Sequence, residues 1–170
     1  MIDEREFNVI ELLGNGVYGC VFKIFDKSKG MNLAMKQVKV GNINDDCNEV
    51  EILKRVSQGK GMKNCVGLDT SFAQSDGYRY IIMSYDGRHT LFDYIVQQEP
   101  FNIRDCIRDI LTGLEYIHTI AKVAHRDLKP SNILVKKTLS PEKRLEFTIA
   151  DFGCARKLES GISNPNACVS

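Results

Sequence analysis

Two carboxylates and one amide that could hold a metal polyphosphate stand close together in the second half of the chain. The stretch 125–132 reads His-Arg-Asp-Leu-Lys-Pro-Ser-Asn, and Asp151-Phe152-Gly153 follows it after a strand-like apolar segment. Carboxylate and amide oxygens suit Mg2+, and a carboxylate can also orient a hydroxyl group for attack on phosphorus. These residues therefore indicate phosphoryl-transfer chemistry.

A glycine-rich turn lies near the start of the chain. The stretch 14–21, Gly-Asn-Gly-Val-Tyr-Gly-Cys-Val, fits G-x-G-x-x-G-x-V and joins two strand-like runs, Phe7 to Leu13 and Val21 to Phe25. Glycines let backbone N–H groups approach phosphate oxygens, although three glycines can also form an ordinary hairpin turn. The residues after Gly19 predict a strand rather than a helix, which excludes a dinucleotide-binding loop. The turn is predicted to cover ATP.

A lysine and a glutamate are predicted to meet behind this turn. Asn32 to Val40 reads as a strand that carries Lys36, and Cys47 to Val56 reads as a helix with two candidate glutamates. The family resemblance described below favours Glu49 as the partner of Lys36, because the apolar residue four positions later then lies on the inward face, whereas Glu51 points elsewhere.

The remaining elements follow from periodicity and turn residues. Gly41 to Asp45 predicts a polar connection, and Val66 to Ala73 and Tyr78 to Met83 predict two strands. Leu91 to Gln98 predicts a short helix, and Asn102 to Thr119, with apolar residues spaced by three and four, predicts the longest helix.

The composition excludes several classes of partner. The 170 residues carry 23 basic and 22 acidic side chains, so no strong field favours nucleic acid or an anionic membrane. With 43% hydrophobic residues, the chain can bury a core as one domain or two small lobes, and no apolar run approaches the ~20 residues of a spanning helix. The six cysteines lack C-x-x-C spacing, which favours free thiols over structural zinc. We expect an intracellular protein, cytoplasmic or nuclear, that binds neither nucleic acid nor membrane.

The order of these motifs resembles the eukaryotic protein kinase family. Residues 125–132 fit the catalytic loop H-R-D-L-x-x-x-N, residues 33–36 (Leu-Ala-Met-Lys) stand where the family has V-A-I-K, and residues 151–153 match D-F-G. The resemblance implies an α+β, two-lobe fold. A complete β-rich N-lobe with one helix is expected over residues 1–84, a hinge over 85–87, and a partial, mainly helical C-lobe over 88–170.

The resemblance also implies roles for the catalytic residues. Asp127 would accept the proton of the substrate hydroxyl, and Lys129 would reach the transferred phosphate, as in serine/threonine kinases. Asn132 and Asp151 would bind Mg2+. The expected catalytic set is Asp127, Lys129, Lys36 and Asn132.

A second implied set would bind ATP. Lys36 would contact the α- and β-phosphates, Ala34 and Leu134 would line the adenine pocket with Met83 at its back, and the backbone of the stretch 84–87 would hydrogen-bond adenine. The residues expected at the nucleotide are Leu13, Gly14, Asn15, Gly16, Val17, Gly19, Val21, Ala34, Lys36, Glu49, Met83, Ser84, Tyr85 and Leu134.

The resemblance further implies regulation and a partner. Arg126 could pair with a phosphate added after Gly153, and the candidate acceptors are Ser160, Ser163 and Ser170. The chain stops at Ser170 inside the activation segment, without A-P-E, so we expect either a fragment of a longer protein or a shortened kinase that an activating or completing partner complements. The long helix would then expose apolar area.

Two function hypotheses follow. The first is a kinase that transfers the γ-phosphate of Mg-ATP to a serine or threonine of a protein substrate. The second is a nucleotide-binding, pseudokinase-like module that mimics or blocks a full kinase. Within the family, Tyr85 to Tyr94 resembles the cell-division-cycle kinases that fire replication origins. A casein-kinase-one-like or unplaced serine/threonine kinase is the alternative.

Overall fold

A five-stranded antiparallel sheet forms the first half of the protein. Its strands are β1 (Phe7–Gly16), β2 (Gly19–Asp26), β3 (Met31–Lys39), β4 (Leu68–Ala73) and β5 (Tyr78–Ser84). They lie in the order β1-β2-β3-β5-β4. The computed structural model describes residues 7–16, 19–39, 43–73, 76–87, 89–138 and 144–158.

Side chains alternate between the two faces of β3, so two of its apolar residues and Lys36 lie on opposite faces of the sheet. Leu33 and Met35 pack into a small apolar cluster that also contains Ile24 and Ile82. Because successive side chains of a strand point to opposite faces, Lys36 lies on the other face, where it is 6% exposed. The strand therefore supplies a buried cation on the face opposite this cluster.

Helix α1 (Ile43–Gln58) connects β3 to β4. The core side of its second half is formed by Val50, Leu53 and Val56, as the apolar spacing predicts. The prediction that Gly41 to Asp45 is a polar connection was wrong for residues 43–45, which are helical; residues 41 and 42 lie outside the described ranges. Acidic residues favour the first turn of a helix through its dipole, so a polar sequence there does not exclude helix.

Two helices begin the second half of the protein. Helix α2 (Leu91–Val96) starts with a capping box between Thr90 and Asp93. Helix α3 (Ile103–Thr119) is capped by Asn102, whose side chain accepts hydrogen bonds from the first amides of the helix. Both predicted helices are thus present. Helix α2 ends at Val96, two residues before the predicted end at Gln98.

Each of these helices leaves an apolar face exposed. On α3, Ile103, Ile107 and Leu111 are 58%, 51% and 58% exposed, and α2 exposes Phe92 and Val96. The expectation that the long helix exposes apolar area is confirmed. Among the described helices, none is long and apolar enough to cross a lipid bilayer.

Five short strands complete the described part of the fold. They are β6 (His89–Thr90), β7 (Val123–Ala124), β8 (Ile133–Lys137), β9 (Leu145–Ile149) and β10 (Arg156–Lys157). One sheet has the order β6-β8-β9, and β7 pairs with β10. The α+β class expected from the sequence is confirmed.

Helix α3 is fastened to both halves of the protein by buried polar groups. The hydroxyl of Tyr116 hydrogen-bonds to the carbonyl groups of Val56 and Gly59, at the end of α1. On the other side, the buried carboxylate of Asp109 pairs with Arg144, which directly precedes β9. These contacts hold α1 and β9 against one helix, and the segment between α3 and β9 contains the catalytic loop.

Candidate active site

A buried lysine joins two carboxylates that are far apart in sequence. Lys36 Nζ lies 2.8 and 2.9 Å from the two oxygens of Glu49 and 3.1 Å from Asp151 Oδ1. Strand β3 supplies the lysine, α1 supplies Glu49, and the turn after β9 supplies Asp151. The prediction that Glu49 rather than Glu51 pairs with Lys36 is confirmed, because Glu51 pairs with Lys157 instead.

The electrostatics of this cluster favour a bound cation. Burial would lower the pKa of Lys36, but the charges of Glu49 and Asp151 outweigh burial and raise it. The lysine is therefore charged, and one cation with two carboxylates leaves a net negative charge. Asp151 uses Oδ1 for Lys36 and for the Gly153 amide, so its second oxygen is the one that could bind Mg2+.

The catalytic loop brings together three of the predicted side chains. Lys129 Nζ donates to Asp127 Oδ2 at 2.6 Å, and Asn132 Nδ2 donates to the same oxygen at 3.1 Å and to the Asp127 carbonyl at 2.9 Å. The hydrogen bond from Lys129 lowers the pKa of Asp127 in spite of partial desolvation. Asp127 is thus kept ionised, and the side-chain oxygen of Asn132, Oδ1, is the atom that could bind a second cation.

A charge effect connects this loop to the lysine cluster. The pKa of Lys129 is raised, first by its hydrogen bond to Asp127 and further by the negative charge of Asp151. The Ala150 amide also donates to the main-chain carbonyl of Asn132 at 2.9 Å, so Asp151 directly follows a residue that is bonded to the catalytic loop. The four residues predicted to act on the phosphates, Lys36, Asp127, Lys129 and Asn132, lie around one site with Asp151.

His125 fixes the start of the catalytic loop against the strand that leads to Asp151. Its Nε2 lies 3.0 Å from the Ala150 carbonyl, and its Nδ1 accepts a hydrogen bond from the Asp127 amide at 3.3 Å. A carbonyl can only accept and an amide can only donate, so His125 carries its proton on Nε2. The ring also packs edge-on against the buried Phe152 at 5.0 Å. His125 thereby aligns Asp127 with Asp151, a role that the sequence motif alone did not assign.

Two residues of the site have left-handed backbone angles. Arg126 and Asp151 have φ angles of 70° and 63°, in the left-handed region that costs a residue with a side chain roughly 1–2 kcal/mol. Each lies in a segment that carries a reacting group. The packing around both segments must therefore hold them in place.

The glycine-rich hairpin is built as the sequence predicts. Strands β1 and β2 pair Gly14 with Val21 and Gly16 with Gly19. Gly19 has a φ of 129°, and a Cβ there would lie 2.0 Å from the Gln37 carbonyl oxygen, so only glycine fits. A Cβ on Gly14 would meet nothing within 4 Å, which leaves open space at the turn. Val17, also predicted to contact ATP, lies outside the described residues.

The residues expected around adenine come from both halves of the protein. Ala34 on β3 pairs with Met83 on β5, and Leu134 on β8 packs against the main core. The Ser84 amide donates to the Gly67 carbonyl at 2.8 Å, so a hinge donor for adenine must come from a later residue such as Tyr85. Leu13, Asn15 and Val21 lie on the glycine hairpin.

The segment after Asp151 makes further contacts with α1. Asn48 Nδ2 donates to the Ala155 carbonyl at 3.0 Å, and Lys157 pairs with Glu51. From the sequence, Asn48 had only a part in the subgroup resemblance and no structural role, because an asparagine on a helix face gives no motif. The serines predicted as phosphate acceptors, Ser160, Ser163 and Ser170, lie outside the described residues.

A comparison with protein families agrees with this geometry. A family model described as "Protein kinase domain" matches residues 7–170. That range contains the glycine hairpin, the Lys36 cluster and the catalytic loop, so the match covers the whole site. The chain belongs to the protein kinase family, whose members use ATP as the phosphate donor.

Proposed function

We propose that the protein is a Mg2+-dependent protein kinase that transfers the γ-phosphate of ATP to serine or threonine hydroxyls. One observation carries the proposal: Lys36 contacts both Glu49 and Asp151 at a buried point, and the loop that holds the Asp127–Lys129 pair is bonded to Ala150, the residue before Asp151. A pseudokinase has no need to keep all of these groups in contact. The set is instead the one that phosphoryl transfer requires.

Each side chain has a task in this reaction. The backbone amides of the glycine hairpin and Lys36 would hold the triphosphate, and Glu49 would keep Lys36 aimed at it. Asp127 stays ionised because Lys129 donates to it, so it can orient the substrate hydroxyl and take its proton. Bound Mg2+ would neutralise phosphate charge, held by Asp151 and Asn132.

The acceptor class and the kinase subgroup are part of the proposal. Lys129 two residues after Asp127 supports serine and threonine over tyrosine, by the resemblance described above. The resemblance of the hinge to the kinases that fire replication origins supports one subgroup hypothesis, and a casein-kinase-one-like or unplaced serine/threonine kinase is the alternative.

The lobe boundaries and the location in the cell also remain proposals. The end of β5 at Ser84 and the start of α2 at Leu91 support an N-lobe over residues 1–84, a hinge over 85–87 and a C-lobe over 88–170. A reduced compartment, cytoplasmic or nuclear, agrees with the free thiols of Cys65 and Cys106.

A radiolabel assay tests the activity. The purified protein is incubated with γ-32P-ATP, Mg2+ and a mixed serine/threonine peptide library, beside Asp127→Asn and a surface control, Lys137→Ala. We expect transfer by the wild type and by Lys137→Ala, and a loss of at least about 100-fold in Asp127→Asn. Equal signals from wild type and Asp127→Asn would defeat the enzyme hypothesis.

A second candidate function is a nucleotide-binding interaction module that mimics or blocks a full kinase. The exposed apolar faces of α2 and α3, with Ile103, Ile107 and Leu111 more than half exposed, favour an activating or completing partner protein. Thermal unfolding with and without Mg-ATP separates the two hypotheses. Stabilisation by Mg-ATP without transfer would support the module, and no stabilisation of the folded protein would contradict both.

A further inference from the structure

Helix α1 contacts the segment after Asp151 through side chains next to Glu49. Asn48 Nδ2 donates to the Ala155 carbonyl at 3.0 Å. Three residues later, and so on the same helix face, Glu51 pairs with Lys157. The first contact is partly buried and the second is exposed, so we expect Asn48 to contribute more to the position of the helix.

The acceptor of the Asn48 hydrogen bond is itself held firmly. Ala155 is completely buried, and its amide donates to the Phe152 carbonyl at 3.0 Å. The next residues form β10, which pairs with β7 just before the catalytic loop, and the Leu158 amide donates to the Lys122 carbonyl at 2.8 Å. Asn48 therefore ties α1 to a fixed part of the catalytic half.

We propose that Asn48 is a positioning residue for the reaction: its amide fixes the rotation of α1 so that Glu49 meets Lys36. The inference rests on the kinase activity proposed above. Residues 48 and 49 are adjacent on the helix, so a rotation that breaks one contact also displaces the other. Within the described ranges the Asn48 side chain hydrogen-bonds to the Ala155 carbonyl, so it would act on the phosphate-binding groups through Glu49.

Three variants at this position separate the hydrogen bond from other effects. Asn48→Ala removes the donor and improves helix propensity, so any loss is not due to a weaker helix. Asn48→Asp keeps the shape but sets a carboxylate oxygen against the Ala155 carbonyl. Asn48→Gln keeps a donor on a longer arm. The matched control is Lys54→Ala, an exposed site on the same helix.

Kinetics provide the first test. One net hydrogen bond changes an equilibrium roughly 2- to 10-fold, so we expect kcat/KM for ATP to fall by that factor in Asn48→Ala and further in Asn48→Asp. Asn48→Gln should recover part of the loss, and Lys54→Ala should match wild type. When Glu49 is already replaced by Gln, Asn48→Ala should lower kcat/KM for ATP by less than about 2-fold, because the carboxylate that Asn48 positions is gone. An equal loss in both backgrounds would overturn the proposal.

Hydrogen exchange provides a test that does not need activity. If the wild type transfers no phosphate, the proposed kinase function fails, yet the contact can still be tested. We expect Asn48→Ala to speed exchange of the Leu158 amide and of the α1 amides around Glu49, while the β2 and β3 amides stay unchanged. If Asn48→Ala and Lys54→Ala show the same exchange rates at the Leu158 amide and at the α1 amides around Glu49, the inference is overturned.

Discussion

Lys36 Nζ bonds both carboxylate oxygens of Glu49, and each side chain is only 8% exposed. A buried ion pair becomes costly when one partner is removed, because the other charge stays desolvated. Asp151 remains as a second partner for the lysine, so we expect Glu49→Gln to destabilise the fold by about 2 kcal/mol. Urea unfolding followed by circular dichroism measures this change.

Glu51→Gln is the matched control for that variant. Glu51 lies two residues away on the same helix but is exposed, and its partner Lys157 is exposed as well. We expect the urea unfolding midpoint of Glu51→Gln to be close to that of the wild type. Equal destabilisation by the two variants would contradict the assignment of the buried pair to Glu49.

Removing the ammonium group of Lys129 should raise the pKa of Asp127. The hydrogen bond from Lys129 is the largest cause of the lowered pKa, so Lys129→Met should move it back toward the ordinary aspartate range. With the folded pKa below the unfolded one, this interaction favours the fold above the unfolded pKa and is lost as the pH falls through the folded pKa. Carbon-13 NMR titration of the aspartate carboxyl groups measures the change.

The control for this titration is Lys137→Met, another exposed lysine in the second half. It should leave the Asp127 titration where the wild type has it. An Asp127 titration that does not move in Lys129→Met would show that the hydrogen bond is absent in solution.

Cys65 should resist alkylation until the fold opens. Burial raises the pKa of its thiol to about 12, roughly 1,000-fold less thiolate at neutral pH than for a thiol with a pKa near 9. Iodoacetamide at pH 8 should therefore label the half-exposed Cys20 and Cys154 well before Cys65, as read by peptide mass spectrometry. Labelling of Cys65 at the same rate without denaturant would contradict its burial.

Tyr116→Phe should weaken the joint between α3 and α1. The hydroxyl bonds to the carbonyl groups of Val56 and Gly59, and its removal leaves these buried or partly buried acceptors without that donor. We expect a loss of about 1–3 kcal/mol in unfolding free energy, measured by urea titration.

Tyr94→Phe is the control for that loss. Its ring is also buried in the core, and within the described ranges its hydroxyl makes no hydrogen bond. We expect little change, so equal losses in the two variants would mean that the Tyr116 hydroxyl is not a specific support.

The sequence motifs predicted the charged groups of the site well. Lys36, Glu49 and Asp151 lie in one cluster, because each motif ties a residue type to a place in the order of strands and helices. Alignment with the corresponding helix of the family chose Glu49 over Glu51, because it places an apolar residue one turn later on the inward face. Their roles in binding ATP and Mg2+ stay predictions.

Contacts to backbone atoms could not be predicted in the same way. Asn48, His125 and Tyr116 each bond a carbonyl group that is distant in sequence, and a carbonyl is present at every residue. Only the folded path of the chain decides which carbonyl group is near.

The start of α1 was missed for another reason. Its first residues are polar and show no apolar period, so their helical state depends on the helical turns that follow.

The left-handed backbone of Arg126 and Asp151 has a consequence for how the protein responds to heat. Neither residue prefers that conformation, so both depend on neighbours that warming loosens. Mild heating should let these two residues return to ordinary angles while the large sheet persists. We therefore expect activity to be lost at a lower temperature than the one at which the sheet unfolds.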